Sequence, residues 1–387
     1  MTSALDTILE RSAASGEVPG VVAMVGNRDG VLYEGAFGLR RSGEDAPMTA
    51  DTVAWIASMT KAITTAALLQ LVEEGKVALD AAAADYAPGI GASGLLHDFD
   101  AEGQPLTRPP ARPVTVRHLL THTSGYSYDF ASSAIRKYMK ATGLPATNSG
   151  LLASLAAPLI AEPGDAFIYG ISTDWVGRIV ETVTGKPLET VFRERIFAPL
   201  GMTDSMFRLD PDQMARRATV HGVKEDGTYV PTEMVVVQEP EFASGGGGMY
   251  ATAGDYLTFL RMILSGGTLG GARILGSDSI AGLMTDQIPN LTVPALGLMS
   301  PMGPRSADFF RGRPTGWTLG FQMNREPTAE GRSAGALSWG GFANTFYWID
   351  PAKGIAGVFI TQIVPFFDPR AVRLFREFET EVYRSLA

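Results

Sequence analysis

The sequence predicts an α/β fold joined to an all-α part: a central antiparallel β-sheet flanked by N- and C-terminal helices, with a helical domain inserted. Three observations carry this. Strand-like runs stand near both ends of the 387 residues, and helix-like periodicity dominates between them, an order that suggests one sheet assembled from both termini. The Pro- and Gly-rich segments are short enough to be loops. No short-period repeat or heptad array is present.

The elements follow in order. "MTSALDTILERSAASGEVPG" reads as a short amphipathic helix. It lacks the basic region and long apolar core of a signal peptide. "GVVAMVGNRDGVLYEGAFG" reads as two strands about a turn at Asn27-Arg28-Asp29-Gly30. A helix opens near Ser58. Residues 80–115, rich in Ala, Gly, Pro and Asp, read as an irregular excursion. Helical patterns then run to about 205, among them "TVRHLLTHTSG", "GLLASLAAPLI" and "STDWVGRIVETVTGK". "SGGGG" at Ser244–Gly248 precedes another helical stretch, "TAGDYLTFLRMILSGG". Strands return in "WTLGFQMN", "GALSWGGFANTFYWIDP" and "GIAGVFITQI", and a helix from about Pro369 to Ser385 closes the chain. The division expected is residues 1–60 with 245–387 as a discontinuous α/β domain and 61–244 as the mainly helical domain, with the site in the cleft between them.

Composition narrows the function. The chain is 45% hydrophobic and 19% charged, enough apolar material for a sizeable core. Formal net charge is -9 without a basic block, which argues against nucleic acid as a partner. With no cysteine, disulfides, zinc-thiolate sites and cysteine nucleophiles are excluded. No apolar run approaches the roughly 20 residues needed to cross a bilayer, so no membrane role and a soluble, cytoplasmic protein are expected.

The stretch "WIASMTKAITTAALLQLVEEGK" places Ser58 three residues before Lys61 at the head of a helix. On a helical projection Lys61 falls within about 20° of Val72, while Gln70 lies on the opposite side. Leu68 and Val72 mark the buried stripe, so Lys61 and Ser58 face the same enclosed space. Enclosure lowers a lysine's pKa and makes it a usable base. A serine at a helix start gains free N–H groups and the positive end of the dipole for a developing oxyanion. Ser58 equally suits an N-cap, and Lys61 equally suits snorkelling to water.

Other motifs compete. "GRSAG", Gly331 to Gly335, has the spelling of a nucleophile elbow, but it lacks the preceding strand and following helix, and the last histidine is His221, upstream of it. Its glycines read as turn residues. His118 and His122 have i, i+4 spacing without a third ligand nearby, and read as helix-end anchors. "DFDAEG" fails as a calcium loop because Pro109 stands where glutamate is required. The four glycines carry no P-loop lysine. Tyr169, just before a helix, suits core or function.

In order, "SMTK", "TVRHLLTHTSG", "EPGDAFIYG", "GGGGMYATAGDYLTF" and "LSWGGFANTFYWID" resemble the serine β-lactamase-like superfamily (class C β-lactamase and penicillin-binding protein fold), above all the branch that holds the family VIII carboxylesterases. The resemblance runs from about residue 15 to 380. It implies a β-lactamase/transpeptidase-like fold. It implies Ser58 as nucleophile, Lys61 as the lysine that tunes it, Tyr169 as general base, and Trp339-Gly340-Gly341 as the third motif on the strand lining the site. It implies an oxyanion hole from the N–H groups of Ser58 and Phe342. The departures are informative. Tyr169 is followed by Gly170 and Ile171, with no amide for a lactam, and Trp339 replaces a lysine that receives a drug's carboxylate. Both suit a neutral ester. The activity implied is hydrolysis of carboxylic esters, short-chain ones foremost, through an acyl-enzyme, with no cofactor or metal and a small-molecule ester as partner. The rivals are a β-lactamase or DD-peptidase and an acyltransferase. Trp339, Phe342, Met249, Tyr250, Tyr126 and Tyr128 are the candidate pocket walls. Whether Lys61 or Tyr169 takes the serine proton stays open at this level.

Overall fold

A computed structural model describes the backbone of residues 2–300 and 303–386, and their side chains except those of 299, 300 and 303–305. Helix α1 spans Thr2–Ala14 and buries Leu5, Leu9 and Ser12. Strands β1 (Gly20–Asn27) and β2 (Val31–Gly38) pair antiparallel. The turn between them is closed by Asn27 Oδ1, which accepts the N–H groups of Asp29 and Gly30 at 2.9 Å each. The later strands are β3 (Thr315–Trp317), β4 (Gln322–Asn324), β5 (Leu337–Gly341), β6 (Thr345–Asp350) and β7 (Ile355–Ile360).

Among the described residues these seven form one antiparallel sheet in the order β3-β4-β5-β6-β7-β1-β2. The chain's two ends meet at β1 and β7, with Ala23 opposite Phe359. Side chains alternate across a strand. Val21, Ala23 and Val25 therefore pack toward α1 and the closing helix α5 (Pro369–Leu386), and Val22 and Met24 enter the larger core on the other face. Helix α4 (Ala253–Leu264) covers that second face.

Between the two groups of strands lie helices α2 (Thr60–Glu73) and α3 (Ser172–Thr184), shorter helices and small hairpins. Two readings need correction. Residues 80–115 contain a hairpin, Leu95–Phe99 with Pro105–Arg108. "GLLASLAAPLI" forms only a 3₁₀ turn at Leu152–Leu155; Pro158 follows too soon for a helix to grow, because it has no N–H and clashes with the preceding turn.

Helix α2 differs from its projection. Every residue from Thr60 to Leu69 is buried, and Val72 is only half-buried. Lys61 is enclosed because the whole N-terminal half of the helix is surrounded, not because it lies on a single apolar stripe. Among the described residues no helix is long and apolar enough to cross a membrane.

Candidate active site

Ser58 lies in a 3₁₀ turn, Ala57–Met59, that runs directly into α2. Ala57 before it has φ +45°, a conformation that L-residues with a Cβ rarely adopt. Such strain persists only where the surroundings fix it. Here Thr60 Oγ1 donates to Ala57 O at 2.6 Å and Tyr256 Oη to Met59 O at 2.9 Å. The N-cap of α2 is Met59, without a side-chain cap bond, so Ser58 does not spend its hydroxyl as a cap.

Lys61 is 2% exposed. Its Nζ lies 3.2 Å from Ser58 Oγ, 2.9 Å from Tyr128 Oη and 2.6 Å from Gly246 O. An ammonium has three N–H donors, and each has an acceptor here. The carbonyl only accepts, so one N–H is committed to it. The two hydroxyls take either role, which makes Ser58, Lys61 and Tyr128 a line along which a proton is able to move.

The sequence-predicted Tyr169 meets Lys61 through its ring, whose centroid is 4.7 Å from Nζ. Its hydroxyl accepts from Trp339 Nε1 at 3.0 Å. Tyr128, expected only as a pocket wall, is the tyrosine hydrogen-bonded to the lysine. Burial, reinforced by the negative charge of Asp174, pushes its phenol well above the ordinary value, which keeps it protonated. Below them His122 packs at 4.8 Å from the Tyr169 ring and 5.1 Å from Trp317. Burial first, then the charge of Lys61, pushes its imidazole well down, so it is neutral. His118 instead closes the capping box at Thr115. The two histidines do different structural jobs.

The glycine run forms the wall beside Lys61. Thr64 Oγ1 donates to Gly245 O at 2.7 Å, and Trp55 Nε1 to Gly247 O at 2.8 Å. Asp174 Oδ1 accepts from Ser244 Oγ at 2.6 Å and from Gly246 N at 3.0 Å. A Cβ on Gly246 would lie 2.5 Å from Asp174 Oδ2, so a larger residue there would push the carboxylate aside.

On the other side the end of β5 presses on the serine's turn. A Cβ on Gly341 would meet Ile56 O and Thr345 Oγ1 at 2.3 Å each. This close approach brings Phe342 to the same cleft as Ser58.

The cleft holds about 380 Å³ and is mainly apolar. Trp55, Phe130, Phe207, Val236, Phe242 and Phe342 are among its walls, with Ser58 and Tyr128 on its surface and Asp129 and Arg136 at its polar part. Of the candidate walls, Tyr128 and Phe342 line it. Five do not. Tyr126 stacks on Trp175 and accepts from Gly91 N. Met249 is fully buried, its N–H bonded to Thr60. Tyr250 supports the wall from behind, accepting from Val236 N at 3.0 Å. Trp339 is 3% exposed within an aromatic cluster. Gly340 lies against Phe346 in the sheet.

The rival serine has another setting. Gly331 and Gly335 stand in turns, with φ +120° and +82°. Between them Arg332 forms a buried ion pair with Glu379 of α5, and Ser333 N donates to Asp350.

With this geometry in place, comparison with known proteins gives a consistent result. The Beta-lactamase family model matches residues 5–380. The chain is 32% identical to the monacolin J acid methylbutanoyltransferase of Aspergillus terreus, over 98% of this chain and 95% of that protein. It is 31% identical to the lovastatin esterase of Penicillium rubens, over 98% of each. The unliganded simvastatin synthase of Aspergillus terreus superposes with a TM-score of 0.87 at 31% identity, over 99% of this chain and 98% of that one. The fold is thus β-lactamase/transpeptidase-like, and the chain belongs to the Beta-lactamase family, among relatives that work as esterases and acyltransferases.

Proposed function

We propose that the protein is a serine carboxylesterase that cleaves neutral carboxylic esters through an acyl-enzyme on Ser58. The observation that carries this is the buried Lys61 ammonium hydrogen-bonded to both Ser58 Oγ and Tyr128 Oη at the edge of an apolar cleft. A hydroxyl needs a base within hydrogen-bond reach to become a nucleophile, and Lys61 is within reach.

In this reading Lys61, once it has given up a proton, takes the proton of Ser58 as Oγ attacks the ester carbonyl. The oxyanion receives the N–H groups of Ser58 and Phe342. Collapse breaks the ester C–O bond, and the alkoxide takes a proton from the Lys61–Tyr128 pair. Water, activated by the same lysine, attacks the acyl carbonyl and releases the acid and Ser58. The ring face of Tyr169 holds the ammonium, and Trp339 fixes the tyrosine oxygen. An apolar cleft without the third-motif lysine favours an uncharged ester over an anionic β-lactam. Its size suits substrates larger than simple short-chain esters.

The second reading is acyl transfer to an alcohol. It is favoured by the relatives, several of which are acyltransferases. Both readings share the acyl-enzyme and differ in the acceptor.

Turnover of p-nitrophenyl esters beside a chromogenic cephalosporin tests the proposal. Ester turnover at least about 10²-fold faster in kcat/KM is expected. Faster cephalosporin turnover, or full activity in Ser58→Ala, overturns it. Adding an alcohol acceptor and measuring new ester against free acid separates transfer from hydrolysis.

A further inference from the structure

We infer that Asp174 is a positioning residue for this chemistry: acting through Gly246, its carboxylate holds Lys61 in place and sets the pH at which the lysine becomes able to accept the Ser58 proton. The inference rests on the acyl-enzyme reading and adds a residue to it.

The geometry is a short bridge. Asp174 stands in the first turn of α3, 4% exposed. Burial raises its carboxyl above the ordinary value, and the charge of Lys61, the Ser244 hydroxyl and the Gly246 N–H oppose that rise, as does the helix N-terminus, which favours a negative charge. It accepts the N–H of Gly246. The carbonyl of the same glycine accepts the shortest hydrogen bond of Lys61, 2.6 Å. One residue thus joins the carboxylate to the ammonium, and its Cα lies close against the carboxylate, a Cβ there falling 2.5 Å from Asp174 Oδ2. Ser244 Oγ adds a third tie.

The groups facing Lys61 leave this role to Asp174. From the serine's turn it meets the Ser58 hydroxyl. From the segment before α3 it meets the Tyr169 ring, and from the loop at 128 the Tyr128 phenol. His122 is neutral. Asp129 acts on Tyr128, and the Arg136 guanidinium, which shares the cleft, donates to the Asp129 backbone. Asp174 is the fully enclosed carboxylate of the group. An opposite charge nearby favours the cation, so removing it lets the lysine release its proton at lower pH. A purely structural Asp174 would give a loop defect with no change in pH dependence.

The test is the rate of fluorophosphonate labelling, followed by intact mass and peptide mapping from pH 5 to 10, in the full-length wild type, Asp174→Asn and Asp174→Glu. Asparagine keeps the size and an acceptor oxygen but loses the charge. The expected result is labelling at Ser58 with the midpoint of the profile lowered by about one unit in Asp174→Asn. In Asp174→Glu the wild-type midpoint is expected to return, at a reduced rate. A uniform fall at every pH with an unmoved midpoint overturns the inference. If Asp174→Asn does not fold, as judged by circular dichroism, Asp174→Ser carries the test. It also removes the charge and leaves a hydroxyl, and its midpoint is expected to fall in the same direction; an unmoved midpoint there also overturns the inference. Label absent from Ser58 in the wild type defeats the acyl-enzyme reading itself. Label on Ser58 with an unmoved midpoint defeats only the role of Asp174.

Discussion

Lys61 Nζ donates to Tyr128 Oη across 2.9 Å, a bond between residues 67 positions apart in the chain. In the proposed mechanism it makes a tyrosine of the cleft wall part of the proton path. Tyr128→Phe keeps the ring, which stacks on Phe130 at 4.7 Å, and removes only the oxygen. The loss expected is about 10²-fold or more in kcat/KM, the scale of a positioned proton-transfer group, with little change in Tm. Steady-state kinetics on a p-nitrophenyl ester checks this; unchanged kcat/KM would remove Tyr128 from the path.

Gly341 separates two surfaces that a methyl group would drive apart. A Cβ there would lie 2.3 Å from Ile56 O, in the segment that leads into Ser58. Gly341→Ala therefore moves the Phe342 N–H away from the Ser58 N–H. Losing one such donor costs about 10²–10³-fold in kcat. The expected signature is a fall in kcat larger than any rise in KM, measured on a folded variant. A change in KM alone would place Phe342 outside the oxyanion hole.

Much of this architecture is legible in the sequence. The strands at both ends and the closing helix follow from alternation and apolar runs, and the two-ended sheet follows from their order. Ser58 and Lys61 were legible through spacing, although the enclosure of Lys61 has another cause than the projected stripe. Asp174 was not legible. On α3 it projects roughly opposite Val176, Ile179, Val180 and Val183, so periodicity assigns it to solvent. It is buried because the glycine run, seventy residues later, packs over that face. Local sequence does not mark Tyr128 either, for the same reason: the partner of its hydroxyl is distant in the chain. Motif position says which strand Trp339 occupies but not where its indole turns, which is toward Tyr169 and the core, not the cleft.

Asp255 on α4 offers a pH-dependent test of stability. Burial pushes its carboxyl up to about 6, while the Asp204 N–H and Ser205 Oγ hold it at 2.8 and 2.9 Å. An unfolded aspartate titrates near 3.9, so between about 4 and 6 the folded chain binds more protons than the unfolded one. The stabilisation from this group is full below about 4 and is lost as pH rises through about 6, on the order of 2 kcal/mol. The Tm difference between wild type and Asp255→Asn, measured from pH 4 to 7, is expected to shift against the wild type as pH rises. A constant difference would show that the group titrates normally.

The ion pair of Arg332 and Glu379 gives "GRSAG" a structural role. Both side chains are nearly buried, at 7% and 3% exposure, and Arg332 lies against the rings of Phe310, Trp348 and Phe375. The pair ties the turn to α5, on the face of the sheet away from the cleft. Removing one partner strands a charge in an apolar setting, which costs about 3–5 kcal/mol. Arg332→Met is expected to lose stability on that scale in urea denaturation. Arg332→Met combined with Glu379→Leu is expected to recover most of it, because two apolar side chains leave no unpaired charge. Ser333→Ala, whose backbone carries the bond to Asp350, is expected to change stability by no more than about 0.5 kcal/mol and to keep full esterase activity. Loss of activity in Ser333→Ala with unchanged stability would return the hydrolase reading to this serine. The double variant guards the other half of the argument: if it stays as unstable as Arg332→Met, the damage comes from packing around the guanidinium and not from the stranded carboxylate.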